Sequence, residues 1–156
     1  MPTGWKVGAQ GITGRDVPMD APCRKPGHVC EGRVSNAGAR YGNTQNTGNL
    51  NIEMFSFEDV EAAQREYEER SASYAGEKDR EVAMPTVGDV SIARSGANEF
   101  SGWPFTSLVM RVGTVVVAMA YTHRDAPDPQ MLLALARMEA KRLQQAQSGE
   151  EPTASL

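Results

Sequence analysis

Residues that carry chemistry are scarce in this chain. Its 156 residues include two histidines, two cysteines and two tryptophans, and aromatics make up 6%. No apolar run approaches the ~20 residues that a membrane-spanning helix needs. The start, Met1-Pro-Thr-Gly-Trp5, lacks the basic and apolar segments of a signal peptide. A trimmed exported chain would look the same. No Gly-x-Ser-x-Gly nucleophile elbow occurs. Gly8, Gly11 and Gly14 lack the tight Gly-x-Gly start of a dinucleotide fingerprint. His123-Arg124-Asp125 matches three letters of a kinase catalytic loop, but Ala126-Pro127 follows where Leu and a later Asn belong. Asp16, Asp20 and Glu31 have no spacing that fixes a carboxylate pair. Cys23-x4-His28-x-Cys30 offers three zinc ligands, with no second cysteine pair to complete a site. The sequence thus predicts no catalytic residues, no metal and no cofactor.

What is present is a globular composition. Apolar residues are 40% of the chain and fall in periodic runs, so a single packed domain is expected over 1–147. Residues 148–156 are expected to be a flexible tail. The net charge of −4 argues against a nucleic-acid partner. The charge is uneven. Residues 1–40 hold six Lys/Arg against three acids, about +3, whereas 53–81 hold ten acids against four bases, about −6. Cys23 and Cys30 form an isolated close pair inside a turn-rich segment, which suits a small disulfide loop in an oxidising compartment.

Residues 1–47 are rich in Gly, Pro, Asn and Thr, and read as irregular with one short strand near Val34. Leu50, Ile52 and Met54 alternate with polar residues, as in a half-buried strand. Ser56 then precedes an acidic helix over 56–74, with Phe57, Val60, Ala63, Tyr67, Ser71 and Tyr74 as its inward stripe. Strands follow at Arg80–Met84 and Val90–Arg94. Two β-rich runs, Phe105–Val112 and Val115–Tyr121, are separated only by Gly113-Thr114, the signal of a type II′ hairpin. Asp128 and Pro129 open a second helix with Leu132, Leu135, Ala136, Met138 and Leu143 inward. The order β-α-β-β-β-β-α is not strictly alternating. The predicted fold is therefore α+β, an antiparallel sheet with both helices on one face.

The hairpin fixes which residues share a face. Val112 opposes Val115, Met110 opposes Val117, Leu108 opposes Met119 and Thr106 opposes Tyr121, a bulky apolar side. The other side carries Ser107, Val109, Arg111, Val116, Ala118 and Ala120. With both helices on the bulky side, this smaller face becomes a candidate shallow groove with Arg111 as its polar anchor. The N-terminal segment would wall it, bringing Trp5 and Tyr41 near. The opposing expectation is that residues 1–47 seal this face.

The run Leu50-Asn-Ile-Glu-Met-Phe-Ser-Phe-Glu-Asp-Val-Glu-Ala-Ala-Gln64 resembles the strand-then-helix of actinobacterial secreted lipoproteins of unknown function. The match continues through Thr86-Val-Gly-Asp89, Val109–Val117 and Leu132–Leu143. The hairpin-plus-helix ending is similar to the extracellular sensor domain of mycobacterial serine/threonine protein kinases. The resemblance covers 48–145. It implies an extracytoplasmic domain, tethered by lipid or by a membrane helix outside this chain, that binds a small molecule or a protein in a cleft without catalysis. The chain departs from the pattern in having no lipobox cysteine and no membrane span. Tyr74 stands where the kinase sensors often carry a cysteine. Two other readings compete: an inhibitor or immunity-type protein docking through the acidic helix 56–74, and an enzyme whose residues meet only in space, with His28 or His123 beside a carboxylate.

Overall fold

A computed structural model describes residues 4–13, 31–73, 79–98 and 100–155. Cys23, His28, Cys30 and Tyr74 lie outside the described residues. Seven strands form one antiparallel sheet: β1 (Trp5–Thr13), β2 (Arg33–Asn43), β3 (Gly48–Phe57), β4 (Arg80–Glu81), β5 (Val90–Ala97), β6 (Pro104–Val112) and β7 (Val115–His123). Their spatial order is β1-β2-β3-β7-β6-β5-β4. The helices are α1 (Val60–Ser73) and α2 (Pro129–Gln147). From β3 onward, the element order is the one the sequence predicts.

The hairpin register is also as read. Val112 pairs with Val115, Met110 with Val117, Leu108 with Met119 and Thr106 with Tyr121. Gly113 has φ of 56°, which a type II′ turn requires at its first central position. The tip is crowded besides, since a Cβ on Gly113 would meet the Gln147 side chain of α2.

The placement of the helices corrects the expectation of one shared face. Leu132, Leu133, Leu135, Ala136 and Ala140 of α2 pack on Leu50, Ile52, Leu108, Met110, Val117 and Met119. Ala62, Ala63 and Tyr67 of α1 pack on Phe55, Phe57, Val109, Val116 and Ala118. These strand residues alternate, so the two helices lie on opposite faces. Volume explains the sorting. The small face takes a helix that approaches through two alanines, and the bulky face takes the leucine-rich one. The signal lies in Val115–Tyr121, which is continuously apolar rather than alternating, as a strand buried on both faces should be.

Two further differences bear on function. Residues 5–13 and 33–43 are strands rather than irregular chain, paired along most of their length despite Gly8, Gly11, Gly38 and Gly42. Pairing partners override weak strand propensity here. The first helix starts three residues later than its capping signal at Ser56 suggests, because β3 runs on through Phe57. Asp59 supplies the cap, its Oδ1 accepting from the Ala62 N–H at 2.8 Å. At the other end, the tail expected to be flexible folds back on α2. The Arg142 Nε donates to the Ala154 carbonyl at 2.8 Å, and Ala154 is buried.

Candidate functional site

Among the described residues, the two helices cover the central strands and leave the β1–β2 side of the sheet with no helix on either face. Gly11 pairs with Gly38 across β1 and β2, and a Cβ on Gly11 would meet nothing within 4 Å. Two concavities result, back to back across this thin region.

The first lies on the α2 face. It has a volume of about 520 Å3, with Ala37, Ala39, Tyr41, Ile52 and Met54 as floor and Gln10 and Glu139 at its sides. A smaller recess of about 140 Å3 continues it along α2 past Leu135 and Met138 to Arg142 and Ser155. The cleft is largely apolar, with one ionisable pair in its wall. The Glu139 Oε1 accepts from Arg142 Nη1 at 3.3 Å, and the glutamate side chain is only 13% exposed. Burial pushes the Glu139 carboxyl above its ordinary range, against the opposing charge and hydrogen bond of Arg142. The cleft can thus offer an apolar ligand one polar contact, from a carboxyl that changes role on ionising.

The second concavity, about 440 Å3, lies on the α1 face. Ala9, Gly11, Gly38, Ala118 and Ala120 form its base, with Arg40, Asn51 and Glu53 above. The Arg40 Nε donates to Asn51 Oδ1 at 2.9 Å, and Arg70 of α1 bridges to Glu53 at 3.3 Å. This concavity shares only Ala118 and Ala120 with the smaller hairpin face expected to form a groove, and Arg111 is not among its lining residues. Arg111 lies under α1. Its Nε donates to Gln64 Oε1 at 2.9 Å, and its Nη1 donates to Asp89 Oδ2 at 2.8 Å and to the Gly113 carbonyl at 3.1 Å. Asp89 Oδ2 also accepts from the Gly113 N–H at 2.8 Å. Arg111 therefore braces α1 and the hairpin turn.

Trp5 and Tyr41 pack on the opposite, α2 face. Tyr41 lines the cleft, whereas Trp5 stacks edge-on against Tyr121 with centroids 5.7 Å apart. The three residues expected to share one groove are not brought together. His123 lines neither concavity. His123 Nδ1 accepts from the Asp125 N–H at 3.3 Å, and Nε2 lies 3.4 Å from Thr47 Oγ1. His28 is outside the described residues. Among the described residues no cluster of His, Cys, Asp or Glu is arranged for a metal ion, and no helix is long and apolar enough to cross a membrane. Of the acids on α1, Glu61, Glu68 and Glu69 face solvent. Glu66 turns inward, held by Arg33 and Arg70, and both guanidinium groups stack on Phe55.

Sequence reasoning missed Glu139, Arg142 and the Ala37-Gly38-Ala39 floor. A signal for the first was present. Leu135, Glu139 and Leu143 are spaced by four, so the acid sits in a leucine stripe.

No family model matches the sequence, and no curated protein matches it. Two solved chains match in structure. One is the extracellular domain of PknH from Mycobacterium tuberculosis, with a TM-score of 0.58 at 10% identity, over 88% of this chain and 85% of that one. The similarity is one of fold. It agrees at that level with the resemblance read from the sequence, in that an extracellular domain of a mycobacterial protein has this architecture.

Proposed function

We propose that this chain is an extracytoplasmic, non-catalytic binding module of the sensor type, and that its ligand, a small molecule or an extended protein segment, lies in the α2-side cleft. The observation that carries this reading is the cleft itself: an apolar floor of small residues beside a half-buried Glu139–Arg142 pair. Enclosed apolar walls with few polar groups are the usual make-up of ligand sites. The fold similarity to an extracellular domain supports the location, and so does the close Cys23/Cys30 pair, expected to be disulfide-bonded in exported material.

The test is a ligand screen read by NMR chemical shifts on the wild-type chain and on Ala39→Trp, which fills the cleft floor. Hits should perturb Gln10, Tyr41, Met54 and Glu139, and should be lost in the filled variant while its spectrum stays folded. Binding that ignores Ala39→Trp places the site elsewhere and overturns the reading. Thiol counting on denatured, unreduced exported protein checks location, and two free thiols would contradict it.

A further inference from the structure

The β5–β6 loop carries an apolar side chain with no cover among the described residues: Phe100 is 99% exposed. The loop beneath it is well built. Asn98 Oδ1 accepts from the N–H groups of Phe100 at 3.1 Å and Ser101 at 3.0 Å. The Asn98 N–H donates to the Trp103 carbonyl at 2.8 Å, and Gly102 turns the chain at φ of 71°. These contacts fix the described backbone on which the exposed ring is carried. A phenylalanine so placed leaves in water the ~150–250 Å2 that an aromatic side chain normally buries.

At the foot of the same loop is a pocket of about 480 Å3 lined by Val82, Ala97, Pro104, Phe105, Pro127 and Pro129. It shares no lining residue with the α2-side cleft. The molecule's own Phe100, being fully exposed, does not fill it. An apolar knob and an apolar hole thus lie side by side on one surface. We propose that this end of the sheet is a self-association surface, in which Phe100 of each copy enters the proline-lined pocket of a second copy.

Two-fold pairing needs a patch complementary to itself, and a knob adjacent to its own hole meets that condition twice per dimer. The charges fit the same occupant. Arg80 lines the pocket, and exposed Asp128 sits in the chain between the lining residues Pro127 and Pro129, opposite charges that can pair with their own copy across a two-fold axis. An anionic membrane would meet Asp128 and be repelled by it.

Sedimentation equilibrium on the wild-type chain, Phe100→Ser and Ala97→Arg tests this. Both sites are exposed, so melting should not change. The wild type should form a reversible dimer, and each variant should weaken it by roughly thirtyfold or more, as for a buried aromatic anchor. An equimolar mixture of the two variants keeps one intact knob-and-hole contact, so it should associate more tightly than either variant alone. A wild-type monomer at about 1 mM, a dimer indifferent to either substitution, or a mixture no tighter than its components overturns the proposal.

Discussion

Two glutamates turned from solvent, Glu66 buried and Glu139 half-buried, meet opposite circumstances in this molecule. Glu66 is held by two arginines, whereas Glu139 has one contact at 3.3 Å and an apolar wall. For Glu139, burial outweighs Arg142 and raises the carboxyl pKa in the folded state. Folding then favours the protonated form. The stability linked to this group is full below the unfolded value, ordinarily near 4.5, and is lost as pH rises through the raised value. Glu139→Gln, which mimics the protonated acid, should therefore be more stable than wild type at neutral pH, with the difference vanishing below about pH 4.5. Urea titrations across pH 4–8 measure this, and a variant less stable at pH 7 would show that Arg142 dominates. In the sequence Glu66 reads as one half of an i,i+4 pair with Arg70 on the outer side of its helix, and Glu139 does not stand out, because charge density alone reads as a solvated face. What distinguishes them is the company they keep at i±4: leucines about Glu139, Ala62 and Arg70 about Glu66. Arg111 went wrong in the reverse way. It looked like a lone charge on an open face only because the partner element, α1, had been assigned to the other side.

At the level of elements, local signals proved reliable and shared-face arguments did not. The Gly113 turn, the Asp128–Pro129 helix start and the hairpin register follow from chemistry within a few residues, and all were legible. Which face a helix takes depends on contacts between segments distant in sequence. The volume match of Ala62 and Ala63 to Val116 and Ala118 decides it, and no periodicity displays that. The opposite-face arrangement makes a distinct energetic claim. Leu108 and Leu135, each 1% exposed and in one cluster, should each cost ~2–5 kcal/mol when changed to Ala. Leu135→Ala and Tyr67→Ala belong to separate clusters across the sheet. Their double variant should be additive to within ~0.5 kcal/mol by denaturant unfolding. Strong coupling between them would mean that the two helices share a core after all.

At the scale of the whole sheet, the described residues divide into a centre clad by helices and a margin that neither helix covers. β3, β7 and β6 are sandwiched between α1 and α2, while β1 and β2 run beyond both helices on a glycine-lined stretch that could not be read as strand from its own residues. Their order comes from pairing with sequence neighbours: β2 returns along β3 through residues 44–47, and β1 adds to β2. Stability should follow the same division. Amide exchange should be slowest in β3, β6 and β7, where both faces exclude water, and fastest in β1, where one row of amides faces no neighbouring strand among the described residues. The candidate cleft sits on this margin, floored by β2 and bordered by Gln10 of β1. A ligand that fills it would join β1 and β2 to α2 through Tyr41, Met54 and Glu139. Bound ligand should then slow exchange in β1 and β2 much more than in β6, whose protection is set by the two cores. Hydrogen exchange with and without a screening hit distinguishes the cases. Uniform protection across the sheet would mean that the ligand merely stabilises the fold globally, and equal exchange in β1 and β7 without ligand would mean that the margin is not the looser part.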